Sequence, residues 1–503
     1  MGLLSIDIGT SGTKVILFSE TGKALSSAYM EYAHIYPRPG WVEVDPEIIW
    51  GAIQSTVRDV SGKCRNLIEA ISISSMGRNI VPVREDGTAI HNGILAADTR
   101  ANEEAGVIRN TIGEQEYYQI RGNRPSVAGG LSKILWLKRN EPDIYSNTWK
   151  FMTFPDYILM RMGFPPVIDY SMAATSTPFD LRKKEYSETI LKEFGLSSKI
   201  FSDPLPSGQV IGEIGLEART QLGLPKGVKM VTGGHDVPCG ILGAGVTHLT
   251  PKVMADITGF FEGAAFISTE PIFTQEAFDT KARVYNGVVK DTYTILHWLP
   301  TGGYLARWFR DELAFEERMK AEKENSSAYD VMFEPLEFNG GTIMALPYFS
   351  GSDVDGYAKG AILGLTMATS RQQLLKGIVE GVTHELKLLA DRLERVHDTG
   401  FDVVRAFGGH TKSQKWLQLK ADMLGKKLEA VQIEDASAVG AALLAGVATG
   451  VYDSIEQAIE ATVKLKGTYD PRPEIHQIYE RQHEVYERIV ESLTPINYDI
   501  FNL

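Results

Sequence analysis

Two short apolar runs, residues 3–8 and 14–19, open the chain with a stretch of small polar residues between them, the pattern of two strands joined by a tight turn. The period then changes. In DPEIIWGAIQSTVRDVSG, Ile49, Ile53, Val57 and Val60 share one helical face, with Asp45 as cap, Pro46 in the first turn and Gly62 as the expected end. LIEAISISSM, Leu67 to Met76, reads as a buried strand, and SKILWLKRNEPDIY as a charged helical region. Such strand-like runs alternate with amphipathic helices along most of the sequence, which predicts an α/β fold.

The opening pattern returns half a chain-length later. VKMVTGG is a strand ending in glycines, and MADITGFFEGAAFIS is again strand, glycine turn, strand, with Asp256-Ile257 standing where Asp7-Ile8 stood. Two similar α/β domains, 1–246 and 247–503, are the economical reading. Near the end, SQKWLQLKADMLGKK turns Trp416, Leu419, Met423 and Leu424 toward a core and stops at Gly425. DASAVGAALLAGVATG is nearly all small residues, as a helix pressed against another backbone would be.

Composition narrows the function. The 503 residues are 43% hydrophobic and 23% charged, and 64 acids against 51 bases give a net charge of −13. That surface argues against general nucleic-acid or anionic-membrane binding, although a cleft can still be locally positive. Two cysteines, Cys64 and Cys239, make neither a disulfide framework nor a zinc site. With no basic, apolar leader at the start and no apolar run of the roughly 20 residues a bilayer needs, a cytoplasmic protein is expected.

The opening turn carries more polar equipment than a bend requires. Gly9 and Gly12 let backbone N–H groups approach a ligand, Thr10, Ser11 and Thr13 add hydroxyls, and Lys14 adds a charge, a set suited to a polyphosphate. Asp7, at the strand end, suits a magnesium ion held through water. The plain alternative is a decorated surface hairpin. Neither a P-loop nor a Rossmann fingerprint is present. In GGHDVPCGILGAG, Asp236 falls past a strand and before a helix, where it serves either as the base in phosphoryl transfer or as a helix cap. His235 is left unassigned. Gly408-Gly409, after the strand FDVVRAF, offers bare backbone to a base or ribose, or is a simple strand-to-helix turn.

In order and over essentially the whole chain, these pieces resemble the FGGY carbohydrate kinases. DIGTSGTK is similar to the family's first phosphate motif, PGWVEVDPEIIW to its proline-glycine-tryptophan segment, and SKILWLKRNEP to its first signature, with Ala128 and Gly130 departing upstream. GAILGLTMATSRQQLLKGIVEGV resembles the second signature, with Gly377 at a usual Ala or Ser, and the segment from Gly408 to Gly446 resembles the adenosine side. The resemblance implies two actin-like, ribonuclease-H-like domains closing over a catalytic cleft. It implies ATP and magnesium, Asp236 as general base, and Asp7 with Gly9–Lys14 at metal and phosphates. Thr258 and Gly259 would supply a second phosphate turn, and Gly408, Gly409 and Ser413 the adenosine side.

Departures shape the rest. Gly259 is followed by Phe260 where a threonine is usual, which puts the second phosphate turn in question. Gly77-Arg78 stands where xylulokinases carry Met-His, and Ala96 where many relatives have tryptophan. Arg78, Asp98 and Arg100 are read as polyol-binding residues or, equally, as ion pairs. The expected activity is phosphorylation of a hydroxyl on a small open-chain sugar or polyol, a ketopentose such as xylulose foremost, with a linear signalling carbonyl or an aldonate as alternatives. Rivals of other classes are an actin-like ATPase and a catalytically weak sugar sensor. A homodimer is left open.

Overall fold

The structure is a computed structural model that describes residues 1–259, 261–352, 357–433 and 435–501. In the first half run β1 (Gly2–Ile8), β2 (Gly12–Ser19), β3 (Ala24–Glu31), α1 (Pro46–Cys64), β4 (Ile68–Ser75), β5 (Val210–Glu213), β6 (Lys229–His235) and α2 (Asp236–Gly243). Then follow β7 (Val253–Thr258), β8 (Glu262–Ser268), β9 (Arg283–Asn286), β10 (Tyr293–Leu299), α3 (Arg371–Val396), β11 (Val403–Gly408), α4 (Gln414–Leu424), β12 (Lys427–Val431), α5 (Ala436–Thr449), β13 (Leu465–Tyr469) and α6 (Pro473–Phe501).

The two sheets share one plan. The first is ordered β5-β6-β4-β1-β2-β3 and the second β9-β10-β8-β7-β11-β12-β13. In each, an antiparallel hairpin (β1–β2, β7–β8) lies beside a parallel strand (β4, β11), then a second parallel strand (β6, β12), then an antiparallel edge. The Asp7-Ile8 and Asp256-Ile257 likeness in the sequence is therefore a likeness of place, since Asp7-Ile8 ends β1 and Asp256-Ile257 stands one residue before the end of β7, both interior strands of their sheets.

Helix α1 lays Ile49, Ile53, Val57 and Val60 on the first sheet as its spacing predicts, but continues through Gly62 to Cys64. Nothing lies within 4 Å of where a Gly62 Cβ would stand, and that open site does not force a stop. Asp45 accepts from Glu47 N at 2.9 Å, as a starting residue should.

Helix α5, although late in the chain, packs over β1, β4 and β6 of the first sheet and crosses α2. Its small residues are required there. A Cβ on Gly440 would stand 1.9 Å from the Cys239 carbonyl oxygen, and one on Gly243 would stand 2.0 Å from that of Ala436. The two helices meet backbone to backbone, which docks the halves and places the start of α5 over the end of β1.

Candidate active site

Register gathers the chemistry. Ile8, Ser75 and His235 end β1, β4 and β6 side by side, and Thr258 and Gly408 end β7 and β11 together, so both sheets bring the carboxyl ends of parallel strands to the site. Asp7 lies opposite Lys14 in the hairpin. Its Oδ1 is buried and accepts no hydrogen bond among the described residues. Burial, with the nearby Asp435 charge, pushes the Asp7 carboxyl up to about 6.

The turn beyond it is held from outside. Tyr32 donates its hydroxyl to Gly9 O at 2.5 Å, and His34 Nε2 lies 2.7 Å from Thr10 O. Thr10 and Ser11 are exposed at the tip, whereas Gly12 and Thr13 are buried within β2. Gly12 makes room for the Tyr29 ring, which would stand 2.5 Å from an added Cβ. Lys14 is engaged across the halves, its Nζ 2.7 Å from Asp435 at the start of α5.

Asp236 is the first residue of α2, directly after β6, and His235 occupies the cap position. The cap alternative for Asp236 is thereby displaced by one residue; its Oδ1 accepts from Val237 N at 2.7 Å. The side chain keeps 33% exposure. Burial there, with the negative charge of Asp7, pushes its carboxyl up to about 7. A carboxylate so placed holds a proton loosely near neutrality, as a base must.

His235 Nε2 stands 3.1 Å from Asp236 Oδ1, and burial and the Arg78 charge lower its ring to about 3, leaving a neutral imidazole. Gly77 is needed beside it, because an added Cβ would stand 2.7 Å from the His235 ring. Arg78 follows in a left-handed conformation, φ 60°, with its carbonyl held by buried Lys133 Nζ at 2.6 Å and its Nη2 donating to Tyr285 Oη at 2.6 Å.

The second turn is finished differently. Lys420, fully buried on α4, places Nζ 2.9 Å from both Asp256 oxygens, 2.8 Å from Glu262 Oε1 and 2.6 Å from Thr258 Oγ1. His410 Nε2 lies 3.2 Å from Asp256 Oδ2. Burial alone would raise the Asp256 carboxyl, but Lys420 and His410 hold it well below the carboxylate range. Glu262 is raised by burial and by Asp256 beside it.

The expectation that the Thr258 hydroxyl serves a phosphate is corrected here. Its Oγ1 is spent on Asp256, Glu262 and Lys420 inside the protein. Gly259 is exposed, with no described atom within 4 Å of where its Cβ would stand, and Gly303 lies against its carbonyl, 2.7 Å from an added Cβ. Phe260 lies outside the described residues. Gly408, at φ 108°, has only 2.2 Å between its Cβ position and Thr258 O, so it is bare to let β11 approach β7, while Gly409 faces open space. Ser413 caps α4 through Trp416 N.

Two sequence-family models match this chain. That of the FGGY family of carbohydrate kinases, N-terminal domain, covers residues 3–243, and that of the C-terminal domain covers 258–449. The chain belongs to the FGGY family of carbohydrate kinases. It is 27% identical over 506 residues to a xylulose kinase of Bacillus subtilis, covering 98% of both chains, and 26% identical over 462 residues to a gluconokinase of the same organism, covering 90% of this chain and 89% of that one. The crystal structure of a ligand-bound xylulose kinase from Lactobacillus acidophilus superposes with a TM-score of 0.88 at 23% identity over 98% of each chain, which establishes the two-domain actin-like, ribonuclease-H-like fold. The protein is thus an ATP-dependent carbohydrate kinase, which sets aside the actin-like ATPase rival.

In this FGGY kinase, Asp98 and Arg100 form a buried lattice. Arg100 pairs with Asp98 at 2.8 Å and Glu43 at 2.6 Å, its guanidinium lies 3.9 Å from the Trp41 ring centroid, and Asp98 also accepts from Val42 N. The ion-pair reading describes both, although Arg100 Nη1 is left buried with no hydrogen-bond partner among the described residues.

Sequence reasoning missed Asp435, Lys420, His410, Tyr285 and Lys133. Asp435 had a signal, an acid opening a helix of small residues. His410 directly follows a glycine pair, as His235 does. Lys420 lies on the helix face assigned to the core and carries no local sign of its partners.

Proposed function

We propose that this kinase transfers the γ-phosphoryl group of ATP to a hydroxyl of an open-chain sugar of ketopentose size, in a cleft between an N-terminal body, 1–246, and a C-terminal body, 247–503. The observation that carries the proposal is Asp236, at the end of β6 with its carboxyl raised to about 7 beside Asp7. Asp236 takes the proton from the attacking hydroxyl, the oxygen bonds to the γ-phosphorus, and ADP leaves with the bridging oxygen. The full-length likeness to xylulose kinases supports the ketopentose class.

Magnesium, when bound, would offset charge on the phosphates. Asp7 fits it, because its buried Oδ1 has no hydrogen-bond partner among the described residues and lies near Asp236 and Asp435, whose charges a cation would relieve. Among the described residues no group of three or more metal-ligating side chains occurs, which agrees with an ion that takes most of its ligands from phosphate and water. Gly9 to Ser11 and Gly259 supply turn backbone toward the phosphates, and Gly409 toward the adenosine. Among the described residues no helix is long and apolar enough to cross a membrane. The ATP requirement supports a cytoplasmic site of action.

The test is ADP release with magnesium-ATP over a panel of ketoses, polyols and aldonates, with Asp236→Asn alongside. The proposal predicts release that depends on a ketopentose and falls about 10²–10⁴-fold in the variant. Acceptor-independent release that the variant leaves intact would contradict it.

A further inference from the structure

Lys14 meets a carboxylate where the first turn calls for a phosphate. Its Nζ lies 2.7 Å from each oxygen of Asp435, a residue 421 positions away in the other half of the chain. Both side chains stay partly open, 33% and 27% exposed, so water screens the pair and a stronger anion displaces it at small cost. A phosphate is such an anion, with more charge than a carboxylate and more acceptor oxygens.

Asp435 has a second partner within its own helix. It stands at the cap position of α5, where an aspartate ordinarily accepts from a backbone N–H two or three residues on, yet its side chain makes no capping bond. Ser370, Ser413 and Ser454, at the same position of their helices, each make one. The first turn of α5 therefore keeps N–H donors that its cap residue leaves unused. The backbone beneath is fixed, because Gly440 lies against the Cys239 carbonyl and α5 packs over β1, β4 and β6. Passing from Lys14 to the cap asks for the rotation of one side chain and no shift of the helix.

We propose that Asp435 is a positioning residue for the nucleotide: its carboxylate holds Lys14 until a nucleotide phosphate takes the ammonium, turns to cap α5 while the phosphate is bound, and retakes Lys14 as ADP leaves. A contact that must open before the phosphate is held lowers nucleotide affinity and speeds product release. The inference rests on the reading of Gly9–Lys14 as a phosphate turn and is independent of which acceptor the kinase uses.

The test is calorimetric titration of the full chain with magnesium-ADP, and stopped-flow measurement of its dissociation, in wild type, Asp435→Asn, Lys14→Met and the double variant. Asparagine removes the charge and keeps a cap for α5. Asp435→Asn is expected to bind magnesium-ADP about three- to tenfold more tightly and to release it more slowly in proportion. In the Lys14→Met background the same substitution should change affinity by less than about twofold, a coupling that a merely structural role for Asp435 would not produce. Equal or weaker binding by Asp435→Asn would overturn the exchange. So would an equal gain in both backgrounds, which is plain repulsion between Asp435 and phosphate. Binding by Lys14→Met as tight as that of wild type would remove Lys14 from the phosphate turn, and the exchange with it. With no acceptor in the titration, an acceptor other than a ketopentose leaves each of these results standing.

Discussion

At the end of β1, Asp7 keeps an oxygen buried without a partner among the described residues, and its carboxyl is pushed up to about 6. At the matching place in the second sheet, Asp256 has both oxygens on Lys420 and a histidine beside it, and is held low. The two hairpins share strand order, direction and a glycine turn, so the difference lies in the side chains that reach them. A carboxylate oxygen left without an internal partner is costly to bury and is retained where a ligand completes it. A carboxylate closed by a buried lysine is already complete and fixes the backbone around it. The first turn keeps an unpartnered carboxylate oxygen at its base, and the second is anchored, with Gly259 exposed and Gly409 facing open space.

The largest effect expected from breaking this contrast is in the anchor. Lys420→Met strands Asp256 in the interior and should cost about 3–5 kcal/mol of stability, read by chemical denaturation. A loss below about 1 kcal/mol would mean that the second turn does not depend on its lysine. Asp7→Asn should act in the opposite way, keeping the fold while lowering kcat about 100-fold or more if Asp7 holds the metal as proposed.

A pH titration sharpens the same contrast. Asp7 binds its proton more tightly folded, at about 6, than unfolded, near 3.8, so its contribution makes stability fall as pH rises through that window. Asp7→Asn should flatten that slope in thermal melts, and an unchanged slope would contradict the raised carboxyl. In rate data, kcat/KM should fall as pH drops below about 7, where Asp236 takes up a proton. The smallest effect belongs to Lys14→Met. Its pair with Asp435 is 33% and 27% exposed, so a stability change under about 1 kcal/mol is expected, with a few-fold rise in KM for ATP.

How far the sequence carried differs between these regions for a physical reason. Strand, glycine turn and strand are local patterns, so both hairpins, the place of Asp236 after β6 and the small-residue face of α5 were legible. The partners were not. Lys420 meets Asp256 across 164 positions and Lys14 meets Asp435 across 421, separations set by sheet order and helix docking, which leave no local period. For that reason Thr258 read as an open hydroxyl when it is sealed, and the choice left open for Asp98 and Arg100, polyol ligands or ion pairs, falls to the ion pair that each makes with the other. Ser413 illustrates the reverse case, because its capping bond to Trp416 spans only three positions.

The contrast between the two aspartates is tested most directly by titrating manganese, as a paramagnetic stand-in for magnesium, into the protein with a non-hydrolysable ATP analogue, in wild type, Asp7→Asn and Asp256→Asn. The account predicts that Asp7→Asn weakens manganese binding about tenfold or more while the folded fraction of Asp256→Asn binds as wild type does. Equal binding by wild type and Asp7→Asn, or a loss confined to Asp256→Asn, would contradict it.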